Sequence, residues 1–427
     1  LYYGCCTHHA KGDATILLSN GGGNYLSALI SHIFNSGEIP DIDPELLRAY
    51  GSKLDSAVTT GYGAAPADLE WNTPDYEMLT KLQNDVWQFS AAKTNTQLRD
   101  MGKALIGPDG KVRSFKDFKI AAQEIVGEQL NWLQTEYDTA VAGAQMAAKW
   151  VTIQANKEIL PLLEFDAVID DRTSTICRPL NKVIRPVDDP FWNMYYPPNH
   201  FNCRSTVRQL RSGEITPVKD IQYPEKVPDM FKVNLGKEHL IFPPGSAYYK
   251  DTPTYVTNNA TLYMPESEQY ITKYKAADGT TVAVNRKTDI AGGQDLNDLL
   301  KVGTILADKG ISVQILPEIH ASETELRAEL LPGVKGDKNP DMKVDGNYAE
   351  VKTATDPASY TRLQKLIANA EKQADRVIIL LEEKYSEDVL KAAANDRFKA
   401  FPGLLEIGFV TADREYIEFT NDQGHTD

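Results

Sequence analysis

The run Pro340-Asp341-Met342-Lys343-Val344-Asp345-Gly346-Asn347-Tyr348-Ala349-Glu350-Val351-Lys352 constrains this chain more than any other stretch. An Asp-Gly pair flanked by strand-forming residues specifies a two-residue hairpin turn, because both turn positions need positive φ. A turn at Asp345-Gly346 fixes the register: Val344 faces Asn347, Lys343 faces Tyr348, Met342 faces Ala349 and Asp341 faces Glu350. Opposed residues share a face of the sheet, with Cβ atoms roughly 4.5–5.5 Å apart. Two carboxylates that close repel unless a cation lies between them, so Asp341 and Glu350 form a natural seat for Mg²⁺ or Mn²⁺. Lys352, two residues past Glu350, shares that face. It can hold an attacking water or steady the charge growing on a phosphate. The alternative is a surface hairpin whose acids and lysine point at water.

The order of these residues resembles the signature of the PD-(D/E)XK nuclease superfamily, with Pro340-Asp341 as its first half and Glu350-Val351-Lys352 as its second. The surroundings agree. Residues 296–309 carry Leu299, Leu300, Val302, Ile305 and Leu306 at helical spacing and stop at Gly310; residues 311–316 then read as a strand. After the hairpin, residues 358–374 have helical period with Leu363, Leu366, Ile367 and Ala370 inward. Residues 377–381 form a continuous apolar run, as in a strand buried on both faces. A helix over 386–401 and strands over 404–410 and 416–419 complete the pattern. Helix, three strands, helix, strand is the core order of that superfamily. Lys372-Gln373-Ala374-Asp375 adds a resemblance, over residues 289–420, to the tRNA-cleaving C-terminal toxins of contact-dependent inhibition systems. The resemblance implies catalytic Asp341, Glu350 and Lys352, a Mg²⁺ or Mn²⁺ held by the two acids, hydrolysis of a phosphodiester in bacterial tRNA, and an immunity protein as a partner. It does not require His320 as a base.

A second constellation lies upstream, where Asp170-Asp171-Arg172-Thr173 and Cys177 are followed by Pro197-Pro198-Asn199-His200-Phe201-Asn202-Cys203-Arg204. Cys177, His200 and Cys203 are three soft donors, and the His-x-x-Cys spacing lets two of them reach one ion. A structural Zn²⁺, with Asp170 or Asp171 as a further ligand, stands against a metal-free knot of packed thiols and hydrogen bonds. The two motif halves resemble the phage Mu protein F-like family of minor head (head morphogenesis) proteins, over residues 115–210. That family implies partners in the phage portal and capsid and a place in the virion, at the capsid interior. Ser205 stands where the family often has a further cysteine.

A chain of 427 residues holds two or three domains, and 42% hydrophobic with 25% charged residues is ordinary for a globular protein. The net charge of −15 argues against a general nucleic-acid coat protein, whose affinity would rest on many basic contacts. Basic residues gather locally at Lys335, Lys338, Lys343, Lys352, Arg362, Lys365, Lys372 and Arg376 and can steer a polyanion. No apolar run approaches the ~20 residues of a membrane span, so no membrane partner is expected. Gly21-Gly22-Gly23 lacks the Lys-Ser/Thr of a phosphate loop and reads as a flexible loop; the adjacent Cys5 and Cys6 are unsuited to an internal disulfide.

The expected architecture is multidomain: a mainly α N-terminal half with a small α+β Mu F-like module, then an α/β PD-(D/E)XK-like domain with a central mixed sheet. Its parts are a helical region (1–110), the head-morphogenesis domain (111–215), a Pro-rich connector with few apolar anchors (216–246), a small β-rich lead-in (247–288) and the nuclease domain (289–427), which is expected to fold alone. Together the resemblances imply a polymorphic toxin: a virion-borne head protein whose C-terminal hydrolase acts in the bacterial cytoplasm. The competing readings are a structural capsid or portal-associated protein with an inactive C-terminal domain, and a DNA-directed nuclease of packaging or superinfection exclusion.

Overall fold

The computed structural model describes residues 22–334, 336–355 and 359–421. Cys5, Cys6, Gly21 and Lys335 lie outside the described residues. The chain divides into two compact units, Leu1–Met264 and Pro265–Asp427.

Four long helices dominate the first unit: α1 (Gly22–Ser36), α2 (Pro44–Tyr62), α3 (Pro74–Lys103) and α4 (Phe115–Asn156). Gly22 and Gly23 open a helix where the sequence suggests a flexible loop. Three of the starts are set locally: the side chains of Asp43, Thr73 and Ser114 accept from the backbone N–H of Leu46, Tyr76 and Asp117. Each cap satisfies a helix-end donor and contributes about 1 kcal/mol. Helices α2 and α4 meet closely at Gly61, where a Cβ would stand 2.2 Å from the Val141 carbonyl oxygen, so only glycine fits. Lys93 of α3 is fully buried, its ammonium 2.5 Å from Glu136 of α4 and 2.9 Å from the Gln129 carbonyl. Removing either partner would strand a buried charge.

Helix α4 leads into a three-stranded antiparallel sheet in the order β2-β1-β3, with β1 Leu162–Asp166, β2 Ile184–Pro186 and β3 Thr206–Leu210. β1 and β3 pair with Asp166 opposite Thr206, which sets the loop leaving β1 beside the loop entering β3.

The stretch expected to be an open connector is packed instead. Ile221, Val227, Met230, Phe231, Leu235, Ile241 and Phe242 are all buried within the first unit. Phe242 stacks on Phe89 of α3 at 3.9 Å, and the Asp85 carboxylate accepts from the backbone N–H of Ile241 (2.7 Å) and Phe242 (2.9 Å). Pro217 and Pro228 each lead into a short helical turn without freeing the chain, and apolar residues between the prolines pack on other elements, as Ile221 does in the core around β1 and Phe242 on Phe89. The break between units lies instead at Met264/Pro265.

The second unit is an eight-stranded mixed sheet in the order β11-β10-β9-β8-β7-β6-β5-β4. Its strands are β4 (Tyr270–Lys275), β5 (Thr281–Asn285), β6 (Val313–Ile315), β7 (Met342–Val344), β8 (Asn347–Ala354), β9 (Arg376–Leu381), β10 (Glu406–Val410) and β11 (Tyr416–Thr420). β5/β6, β8/β9 and β9/β10 are parallel; the other neighbours are antiparallel. β4 and β5 thus extend the same sheet and are not a separate lead-in. Helix α5 (Gln294–Ala307) covers one face with Val302, Ile305 and Leu306, against Ile378 and Leu380 of β9. After α6 (Thr324–Leu330), helices α7 (Tyr360–Ala370) and α8 (Glu387–Ala400) cover the other face, against Val377, Ile379 and Leu381. Alternate β9 residues therefore enter two different cores, as the unbroken apolar run suggests.

Candidate active site

The hairpin turn falls at Asp345 (φ 45°) and Gly346 (φ 82°), both in the left-handed region. The register is Met342↔Ala349, Lys343↔Tyr348 and Val344↔Asn347. The β7–β8 ladder ends at Met342/Ala349, and from Glu350 onward β8 pairs with β9 on its other edge. The site lies at this fork, where β7 and β8 part.

Asp341 precedes β7, and its carbonyl accepts from the Leu316 N–H at 2.9 Å. One carboxylate oxygen accepts from the Val351 N–H at 2.8 Å, which pins the side chain across the fork. Glu350 is 3% exposed. Its Oε1 lies 2.5 Å from the Lys352 ammonium, while Oε2 is buried with no hydrogen-bond donor. The structure thus brings Asp341, Glu350 and Lys352 together. Burial, then the charge of Asp341, pushes the Glu350 carboxyl up to about 7. Asp341 is also raised, chiefly by burial, against the opposing pull of the Val351 N–H and Lys352. Burial works against the Lys352 ammonium, yet its hydrogen bond and ion pair with Glu350 raise it overall. Two buried carboxylates this close need positive charge, and Lys352 supplies part of it.

The sequence reading missed three contributors. Asp295, in the first turn of α5, adds negative charge felt by both Asp341 and Lys352. Asp298, one turn on, accepts from the Thr353 hydroxyl at 2.7 Å and ties α5 to β8. Their i, i+3 spacing puts both on one helix face, a signal passed over because the apolar face of that helix was the one read. The third is Arg327 of α6, which is buried. Its guanidinium donates to the carbonyls of Ile319 (2.5 Å) and Lys338 (2.5 Å) and to Asn339 Oδ1 (3.0 Å). The Asn339 N–H in turn donates to Gln373 Oε1 at 3.1 Å, so the Lys372-Gln373-Ala374-Asp375 turn holds the segment entering Asp341.

The expected basic cluster is partly neutralised. Arg376 pairs with Glu406, Lys352 with Glu350, and the Lys343 ammonium lies over the Tyr348 ring at 5.0 Å; Lys365 is exposed. His320 is exposed, with Nδ1 2.8 Å from the Ser322 hydroxyl.

In the first unit Cys177, His200 and Cys203 converge, with one donor atom from each within 4.8 Å of the others. Of the two aspartates expected to offer a further ligand, Asp170 is instead engaged by Arg204 at 2.6 and 2.8 Å and is exposed, and Asp171 does not join the three donors. The Arg204 guanidinium holds its carboxyl well below the usual carboxylate range.

Residues 113–208 match the family described as Phage Mu protein F like protein, and residues 338–415 match the Contact-dependent growth inhibition CdiA C-terminal domain. The capsid assembly protein F of Escherichia phage Mu is 25% identical over 156 residues, 36% of this chain and 35% of that protein. The chain therefore spans about a third of the length of that relative. A solved chain from the CdiA-CT/CdiI toxin and immunity complex of Burkholderia pseudomallei is 18% identical. The match covers 31% of this chain and 92% of that one, at a TM-score of 0.23, too low to establish a shared fold.

Proposed function

We propose that this chain, which carries a Mu F-like domain and a CdiA C-terminal-type domain, is a phage head protein bearing a metal-dependent nuclease toxin of the PD-(D/E)XK type. The observation that carries the reading is the fork itself: Asp341, Glu350 and Lys352 converge there, and Glu350 Oε2 is buried with no donor facing it. An orphaned carboxylate oxygen beside a second carboxylate is a hard-oxygen donor set, which suits Mg²⁺ or Mn²⁺. Asp341 and Glu350 would hold that ion, which when bound lowers the pKa of a coordinated water and offsets charge on a phosphate.

The protein's own groups do the rest. The Val351 N–H fixes the Asp341 carboxylate in place, and the Arg327 fork fixes the chain entering it. Lys352, half-buried, stays protonated and places its ammonium where charge grows on the phosphate oxygens. Water adds at phosphorus and the bond to the leaving oxygen breaks. The preferred substrate is bacterial tRNA, a reading that rests on the resemblance carried by the Lys372-to-Asp375 segment.

In this reading the Mu F-like domain associates with portal and capsid proteins and sets the protein in the virion, at the capsid interior. The nuclease then acts in bacterial cytoplasm, and an immunity protein protects the producing cell. Among the described residues no helix is long and apolar enough to cross a membrane. The test is incubation of the full chain with tRNA and with plasmid DNA, each with Mg²⁺, with Mn²⁺ and with EDTA. Metal-dependent loss of tRNA supports the reading. Metal-dependent cutting of DNA alone points to a DNA-processing nuclease, and no cutting of either to a structural C-terminal domain.

A further inference from the structure

We propose that Cys177, His200 and Cys203 form a structural Zn²⁺ site that staples the loop leaving β1 to the loop entering β3. Both cysteines are free and buried, with sulfurs 3.6 Å apart. Two thiolates on one tetrahedral zinc, with Zn–S near 2.3 Å, stand about 3.8 Å apart; a disulfide needs about 2.05 Å. The sulfurs already have the spacing of a shared ion.

His200 is oriented as a ligand. Its Nδ1 lies 2.7 Å from the Phe201 carbonyl, which can only accept, so in the neutral ring Nδ1 carries the hydrogen. Nε2 then keeps its lone pair, facing the Ser174 hydroxyl at 2.8 Å. A backbone carbonyl that fixes the imidazole tautomer is the usual outer shell of a metal-binding histidine. His200 and Cys203 are brought together by a tight turn, with the Cys203 N–H donating to the His200 carbonyl (3.2 Å) and Asn202 at φ 57°.

The pocket is held without the ion by independent contacts, one across the two loops and one within the loop leaving β1. Arg204 grips the Asp170 carboxylate through two nitrogens, and Arg178 donates to the Asp170 carbonyl at 2.8 Å. Asp170 is thereby committed elsewhere and is not the fourth ligand. Among the described residues no carboxylate joins the three donors, Asp171 included, so the fourth position falls to an oxygen such as a water. Two thiolates and an imidazole select a soft ion over Mg²⁺ or Ca²⁺.

The chain has four cysteines, so Cys5→Ser/Cys6→Ser leaves only this pair of thiols. The full-length double variant should purify with one equivalent of zinc by elemental mass spectrometry. Replacing zinc by Co²⁺ should give thiolate-to-cobalt charge-transfer absorption with intense tetrahedral d–d bands, saturating at one equivalent. The carboxylates at the fork cannot produce the charge-transfer band. Adding His200→Ala should abolish tight saturation while leaving both thiols in place. The proposal is overturned if the double variant holds no zinc and shows no thiolate–cobalt band, or if Cys177 and Cys203 are recovered as a disulfide. Because the cobalt spectrum is read on a chain with all three ligands intact, misfolding of the His200 variant does not affect the outcome.

Discussion

Glu350 shows how a residue's chemistry can be legible in sequence while its energetics are not. The Asp345-Gly346 turn sets the register by counting, and the structure has it for the three pairs from Val344/Asn347 to Met342/Ala349, one step short of Asp341 and Glu350. The absence of a donor at Oε2 depends on everything packed around it, and no local pattern encodes it. Arg327 is similar: it reaches the site from a separate helix, and nothing in its local sequence marks it. Arg327→Met should lower kcat for cleavage by roughly 10²-fold, the effect of about 1 Å of misplacement, with a smaller change in KM. Arg327→Lys should not restore it, because three acceptors need the planar fork. Cleavage kinetics with both variants and matched melting temperatures check this. In the first unit, burial pushes the Asp85 carboxyl up to about 7, against the Ile241 and Phe242 N–H groups. Its folded pKa exceeds the unfolded one, so the native state binds the extra proton in between. Stability from this group is complete below about pH 4 and is lost as pH rises through about 7. Asp85→Asn does not titrate, so its melting temperature should rise relative to wild type as pH increases across that window. Parallel pH profiles that never diverge would contradict it.

Elements with strong periodicity were readable: helix α5, the β9 run and the helices on either side of it in the chain all appear where their apolar spacing puts them. What the periodicity could not convey was which elements belong together. Residues 216–246 have no period of their own, because their apolar side chains fill grooves between other elements, as Phe242 does against Phe89. Phe242→Ala should therefore destabilise the first unit by about 3–5 kcal/mol, measured by denaturant unfolding; an effect under about 1 kcal/mol would restore the open-connector picture. β4 and β5 are similarly part of the sheet beside β6, with Ile271, Val282 and Val284 buried. Each such side chain contributes roughly 1.5–3 kcal/mol. A fragment of residues 265–427 should fold cooperatively, whereas one of residues 289–427, which lacks both strands, should not. Circular dichroism melts of the two fragments decide the point.

At the scale of the whole molecule, the two units divide the chemistry by donor type. The first gathers thiols and an imidazole between two loops, a set that suits a structural ion. The second gathers carboxylates and an ammonium at the fork of a mixed sheet, a set that suits hydrolysis of a phosphodiester. With a net charge of −15, attraction to a polyanion would have to be local, and part of the basic cluster near the fork is already paired with carboxylates. The most direct test is the single-turnover rate of tRNA cleavage by the full chain at saturating Mg²⁺, wild type against Glu350→Gln. The substitution keeps the shape and removes the charge that would hold the ion. A drop of about 10²-fold or more, of the size expected for losing a group that acts in the transition state, is the predicted result. Equal rates in the two proteins would show that the fork is not the catalytic centre.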